Sequence, residues 1–203
     1  YSFLQSVIFG SKPGVVRERL YPNLNRTQVI LDVGCGPGTF LSENPDVPPQ
    51  NYVGLEPNRR YFEQAQALHP RARFVLGDVH SAATDIQGTK FDLVLLEGVL
   101  HHVSDSDAVQ ILQFCLKALA PGGRLVTIDP VSDGTQNWVA KLLISLDRGR
   151  YVRSTRSYVH LIRAADALKN ATFTTMTDLM RVPYAHFTCV VDTSRVSGQL
   201  FRS

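Results

Sequence analysis

Val29–Phe40 reads VILDVGCGPGTF: an apolar run, an acid, then glycine at every second position, Gly34, Gly36 and Gly38. A short, wholly apolar run is the pattern of a strand buried on both faces. The glycines that follow allow a sharp turn and leave no side chain between the main chain and a ligand. A strand feeding such a loop opens a nucleotide-type α/β fold, and the flanking sequence tests that expectation.

Short apolar runs and helical patterns alternate outward from this loop. Val29–Val33, Tyr52–Leu55, Phe74–Leu76, Phe91–Leu96 and Arg124–Ile128 read as five buried strands. Helices are predicted over Asn58–Leu68 and Asp105–Leu119, the second with Ile111, Leu112, Cys115, Leu116 and Leu119 at core-face spacing. Gly77 and Pro121-Gly122-Gly123 mark turns. This alternation predicts βαβ units and a doubly wound, Rossmann-like parallel sheet covered on both faces, hence the α/β class. Val15–Leu20 reads as an amphipathic helix before the block, and Trp138–Leu146 and a stretch near Tyr158–Leu168 as helices after it. Two last β-like runs, Phe173–Val182 and His186–Val191, are suited to an antiparallel pair at one sheet edge.

With 203 residues, 44% apolar and 19% charged, the chain is expected to form one globular domain. No apolar run reaches the ~18 residues of a membrane span. The first residue is Tyr1 rather than Met, which leaves a removed targeting segment open. Cys35, Cys115 and Cys189 stand far apart, a pattern that argues against a disulfide framework or a metal cluster and fits a reducing, cytoplasmic setting. The net charge of +3 hides an asymmetry: residues 1–135 hold 11 Lys and Arg against 14 Asp and Glu, residues 136–203 hold 10 against 4. The sequence carries no signal for oligomeric state.

The glycine pattern excludes two ligand classes. A dinucleotide fingerprint needs a third glycine where this chain has Thr39, and a phosphate loop needs a Lys-Ser or Lys-Thr that is absent. The acids point elsewhere. Asp32, at the end of the first strand, suits a ligand ammonium or the ordering of the loop through its N–H groups. Glu56, after the second strand, can accept from both hydroxyls of a ribose, and Asp78, after the third, from an adenine amino group. All three fall at the carboxyl ends of parallel strands, where open α/β sheets bind ligands.

These stretches resemble the class I S-adenosylmethionine-dependent methyltransferase family. LDVGCGPG is similar to its first motif, YVGLEPN to its ribose motif and FVLGDV to its adenine motif; FDLVLLEGVLHHV and LKALAPGGRLVTIDP resemble its fourth- and fifth-strand motifs. The match runs in family order over Val29–Pro130. It implies a seven-stranded mixed sheet, S-adenosylmethionine as donor and S-adenosylhomocysteine as product. It further implies that Asp32, Gly34, Cys35, Gly36 and Gly38 face the methionine end, Glu56 and Pro57 the ribose, and Asp78 with Val79 the adenine, with Glu97 and Gly98 completing the donor site. In these terms residues 1–28 are a helical cover, 29–130 the donor-binding core, 131–170 the acceptor-side insertion and 171–203 the closing hairpin.

Methyl transfer from a sulfonium needs alignment, exclusion of water and, for some acceptors, a base. His101 and His102 follow the fourth strand and are the candidate bases, against a structural reading in which one packs on the donor and the other caps a turn. Glu97 and Asp129 end adjacent strands and could share a divalent ion, but Pro130 makes that arrangement poor and no metal is expected. The fourth-strand motif ends LEGVL rather than in the Pro-Pro-Tyr type of enzymes that methylate planar amino nitrogens, and no nucleic-acid module is evident. A small-molecule acceptor is therefore expected, with RNA or another macromolecule at the basic rear, or donor binding without catalysis, as alternatives. Asp147–Tyr158, DRGRYVRSTRSY, offers Arg150, Tyr151 and Arg153 for an anionic acceptor, or forms a solvated basic loop. Trp138 packs its helix on the sheet or lends its N–H to the acceptor. The apolar Tyr1–Pro13, with Phe3, Phe9 and Lys12, is expected to cover the donor or to pack on the sheet.

Overall fold

The computed structural model describes residues 12–82, 84–132, 150–179 and 185–194. Helix α1 (Pro13–Leu20) leads into strand β1 (Ile30–Val33), helix α2 (Thr39–Glu43), strand β2 (Tyr52–Glu56), helix α3 (Arg59–Leu68) and strand β3 (Arg73–Leu76). Strand β4 (Phe91–Glu97), a 3-10 turn at Leu100–His102, helix α4 (Asp105–Ala118) and strand β5 (Leu119–Pro130) follow. Helix α5 (Thr155–Ala164) and strands β6 (Ala171–Met176) and β7 (His186–Asp192) complete the described elements. The strands form one sheet in the order β3-β2-β1-β4-β5-β7-β6. The first five run parallel, and β7 lies antiparallel between β5 and β6. The α/β class, the seven-stranded mixed sheet and its antiparallel closing pair are as the sequence predicts.

Alternation along the strands divides the core into two layers. Leu31 and Val33 of β1 join Ile111, Leu112 and Cys115 of α4 and Tyr158, Leu161 and Ile162 of α5 on one face. Ile30 joins Val16 and Leu20 of α1, Phe40 and Leu41 of α2 and Ala65 of α3 on the other. Both faces of the parallel strands are thus covered, which is why β1, β2 and β4 are dominated by apolar residues.

Several boundaries differ from the sequence expectation for local reasons. β5 begins at Leu119, because Phe91 pairs with Leu119 and Leu93 with Arg124 while the residues between bulge outward. α5 begins at Thr155 rather than near Tyr158: the Ser154 hydroxyl accepts from the Ser157 N–H at 3.2 Å and caps the first turn. Its course ends before Asp166, which has φ 62°. β6 spans Ala171–Met176 instead of reaching Val182. The one-turn α2 is too short to announce itself by periodicity. The helix expected at Trp138–Leu146, and Phe3 and Phe9, lie outside the described residues.

Candidate functional site at the carboxyl ends of the parallel strands

The glycine loop leaves β1 directly onto β2, where the Gly34 and Cys35 N–H groups donate to the Leu55 carbonyl at 2.8 and 3.1 Å. Gly34 has φ 76°, and a Cβ there would stand 2.6 Å from Val99 Cγ2. Side chains are excluded at Gly34 both by conformation and by the close approach of the loop after β4. Gly36 has φ 54° but a Cβ there would meet nothing within 4 Å. Its backbone therefore borders open space, as a ligand cradle requires. Gly38, also at positive φ, begins α2. Cys35 is buried, and burial raises its thiol pKa, so it is a packing residue rather than a thiolate.

Glu56 orders this loop. Its carboxylate accepts from the N–H of Gly36 and of Asn58, both at 2.8 Å, tying the loop after β1 to the one after β2. Asp32 has a different partner: the Tyr52 hydroxyl donates to Oδ2 at 2.6 Å. Glu97, at the end of β4, receives the Tyr21 hydroxyl at 2.9 Å. Burial is the main cause that pushes Asp32 up to about 7, with Glu56 adding to it and Tyr52 opposing. Burial, then the Asp32 charge, pushes Glu97 up to about 8. Tyr21, Phe40, Tyr52 and Phe74 form a contiguous aromatic row with centroid separations of 5.8, 6.1 and 5.8 Å, and this row delivers both hydroxyls to the acids. The result is a concentration of buried and half-buried carboxylates beside an open backbone, an environment that a cationic ligand relieves.

Asp78 is exposed, and its Oδ1 accepts from the N–H of His80 and Ser81 and from the Ser81 hydroxyl. These bonds, Ser81 foremost, hold its carboxyl below the ordinary range. Oδ1 thus serves its own loop, a use the adenine expectation did not include. Val79 is buried in the core, Pro57 is exposed, and the Gly98 N–H donates to Ile128 O at 2.7 Å.

His101 is 3% exposed and sits against Asp129, which is fully buried. Asp129 Oδ1 lies 2.9 Å from His101 Nδ1 and accepts the His101 backbone N–H at 3.1 Å. Burial raises the Asp129 carboxyl pKa while the histidine opposes it. With Nδ1–H donated to the carboxylate, Nε2 carries the lone pair. His102 is exposed, with its ring centroid 3.9 Å from that of His101. The two histidines therefore differ sharply in setting. Glu97 and Asp129 serve Tyr21 and His101 respectively, and no group of residues suited to a metal ion occurs among the described residues.

The arginine segment separates in the same way. Arg150 and Tyr151 are exposed. Arg153, expected at an anionic acceptor, is 7% exposed, and its guanidinium makes four hydrogen bonds and an ion pair within the protein. Nη1 reaches Leu100 O at 2.5 Å and Tyr151 O at 3.1 Å, Nη2 reaches Val103 O at 2.8 Å and Asp105 Oδ1 at 2.7 Å, and Nε reaches the same Oδ1 at 2.8 Å. These contacts within the protein account for the burial of the guanidinium, a use the direct-binding expectation did not include. Trp138 lies outside the described residues. Sequence reading missed Tyr21, Tyr52 and the pairing of Asp129 with His101. Asp129 stands 28 residues from its partner, and no local pattern links the two.

Residues 30–123 match the family model described as a methyltransferase domain. A tRNA U34 carboxymethyltransferase of Klebsiella pneumoniae is 33% identical over 162 residues, covering 75% of this chain and 44% of that protein. An uncharacterised 37.1 kDa protein in transposon TN4556 of Streptomyces fradiae is 33% identical over 105 residues, covering 49% and 29%. Among solved structures, a putative O-methyltransferase from Nostoc punctiforme superposes with a TM-score of 0.63 at 19% identity, covering 89% of this chain and 54% of that one. The plantazolicin methyltransferase BamL, solved with a desmethyl analog and SAH, gives 0.62 at 10% identity, covering 82% and 77%. These structures share the fold. The chain spans less than half the length of both curated relatives.

Proposed function

We propose, for a chain that belongs to the class I S-adenosylmethionine-dependent methyltransferase family, that it transfers a methyl group from S-adenosylmethionine to a small molecule whose reacting group must lose a proton. The observation that carries this reading is the buried His101–Asp129 pair beside the glycine loop. Val99 approaches Gly34, and a Cβ on Gly98 would stand 3.6 Å from His101 Cε1, so the loop after β4 joins the two.

The donor, when bound, supplies a methyl carbon activated by a positively charged sulfur. Gly34, Gly36 and Gly38 present backbone to its methionine end, and Asp32 and Glu97 favour its positive charge. Glu56 keeps the loop in place through Gly36 and can share its carboxylate with the ribose. Val79 walls the adenine side. His101 Nε2 accepts the proton from the acceptor as the nucleophile attacks, and Asp129 stabilises the imidazolium that results. The exposed His102 ring lies against that ring at a 40° tilt, and Arg150 and Tyr151 flank the approach.

Transfer of tritiated methyl from the donor into a bacterial extract, fractionated by size and nuclease sensitivity, tests the reading. Label in small molecules supports it; donor binding without transfer to any fraction favours a binding protein. A second reading has one specific support. Arg156, His160 and Arg163 recur at helical spacing on the exposed side of α5, without an ion-pair partner among the described residues. A phosphate backbone would suit that stripe, and the Klebsiella relative bears a tRNA-modifying name. Nuclease-sensitive label would select it.

A further inference from the structure

Arg153 stands where the acceptor-side segment meets the turn that bears His101. The 3-10 turn Leu100–His102 is three residues long, and its carbonyls have few partners of their own. Donors from Tyr151–Arg153 supply them: the Tyr151 N–H reaches His101 O at 2.9 Å, and the Arg153 guanidinium reaches Leu100 O and Val103 O. The same guanidinium grips Asp105, the first residue of α4. On its backbone side Arg153 bridges to Val131, and its carbonyl accepts from the Ser132 N–H at 2.9 Å. One residue therefore joins the end of β5, which carries Asp129, to the turn that carries His101.

A buried guanidinium is tolerated only when its charge and donors find partners, and here four hydrogen bonds and the ion pair with Asp105 supply them. Its planar fork serves three carbonyls and a carboxylate at once, a geometry that an ammonium does not reproduce. The flanking aromatic rings of Tyr151 and Tyr158, with centroids 5.6 and 5.9 Å from its central carbon, hold it further.

We propose that Arg153 is a positioning residue for the base: by clamping the Leu100–Val103 carbonyls it keeps His101 Nδ1 on Asp129 and so holds the ring as the Nδ1–H tautomer with a basic Nε2. This rests on the assignment of His101 as base made above. Arg153 acts through the turn and touches neither reactant.

The test is long-range ¹H–¹⁵N spectroscopy of the imidazole rings in the full chain with S-adenosylhomocysteine, with His101 assigned by His101→Gln. Wild type is expected to show a single Nδ1–H tautomer for His101. Arg153→Ala and Arg153→Lys should convert this signal to a mixture of tautomers, while affinity for S-adenosylhomocysteine stays within about threefold of wild type. Asp105→Asn, which leaves the three carbonyl contacts, should keep the wild-type signature. Should Arg153→Ala fail to fold, Arg153→Lys and Asp105→Asn still decide. A folded Arg153→Lys protein that keeps the wild-type tautomer, losing only melting temperature, overturns the positioning role alone. A wild-type ring without the Nδ1–H tautomer overturns the base assignment and this inference together.

Discussion

Two carboxylates with similar sequence settings do different work. Asp32 and Glu56 both end parallel strands, yet the Gly36 N–H goes to Glu56 and Asp32 is held by a tyrosine hydroxyl. Glu56→Ala should therefore loosen two loops together. The expected outcome is at least tenfold weaker binding of S-adenosylhomocysteine by calorimetry, with the melting temperature also lowered. Asp32 and Glu97 make the protein without donor sensitive to pH. Their folded pKa values, about 7 and about 8, lie above the ordinary carboxylate range, so the folded state holds protons that the unfolded state has released. Their contribution to stability is complete below about pH 4 and is lost as pH rises through 7 and 8. Thermal melts across this range should show the decline, and a cationic donor, which favours the ionised acids, should offset it. Methyl transfer should fall by a factor of about 10²–10⁴ in His101→Gln if His101 is the base, with binding of S-adenosylhomocysteine preserved.

At the scale of elements, strands were legible where burial on both faces made short runs predominantly apolar. Helix α4 was legible from its periodicity, and the Ser104 hydroxyl, which accepts the Asp107 N–H, fixes its start. Leu112 on that helix is fully buried in the layer with β4 and α5. Leu112→Ala should lower stability by about 2–5 kcal/mol in denaturant titration without changing donor affinity. Asn58 caps α3 by accepting from the Arg60 and Tyr61 N–H groups, and Asn58→Ala should cost about 1 kcal/mol. The start of α5 depended on Ser154, a capping signal weaker than the apolar pattern beginning at Tyr158. The early start of β5 depended on pairing with Phe91, a relation between distant segments that no local pattern expresses.

Across the whole molecule, ion pairs join the acidic front to the basic rear: Arg19 and Arg124 pair with Asp178 and Asp192, and Arg153 with Asp105. Within the front, Arg17 and Arg59 pair with Asp46 and Glu63. On α5, Arg156 and Arg163 face solvent without such partners among the described residues. If the acceptor is a small molecule, Arg156→Glu with Arg163→Glu should leave transfer unchanged, and raising salt from about 50 to 200 mM should have little effect; a polyanionic acceptor would show a steep loss. The sequence by itself determined the sheet, its parallel core and the donor-binding family, because strand burial, glycine spacing and strand-end acids are local patterns. The tertiary structure decided the partnerships: Glu56 with the loop, two tyrosines with two acids, Asp129 with His101, and Arg153 with the turn after β4. A side chain's hydrogen-bond partner depends on which segments folding brings within about 3 Å, and that proximity is set by the packing of strands far apart in the chain.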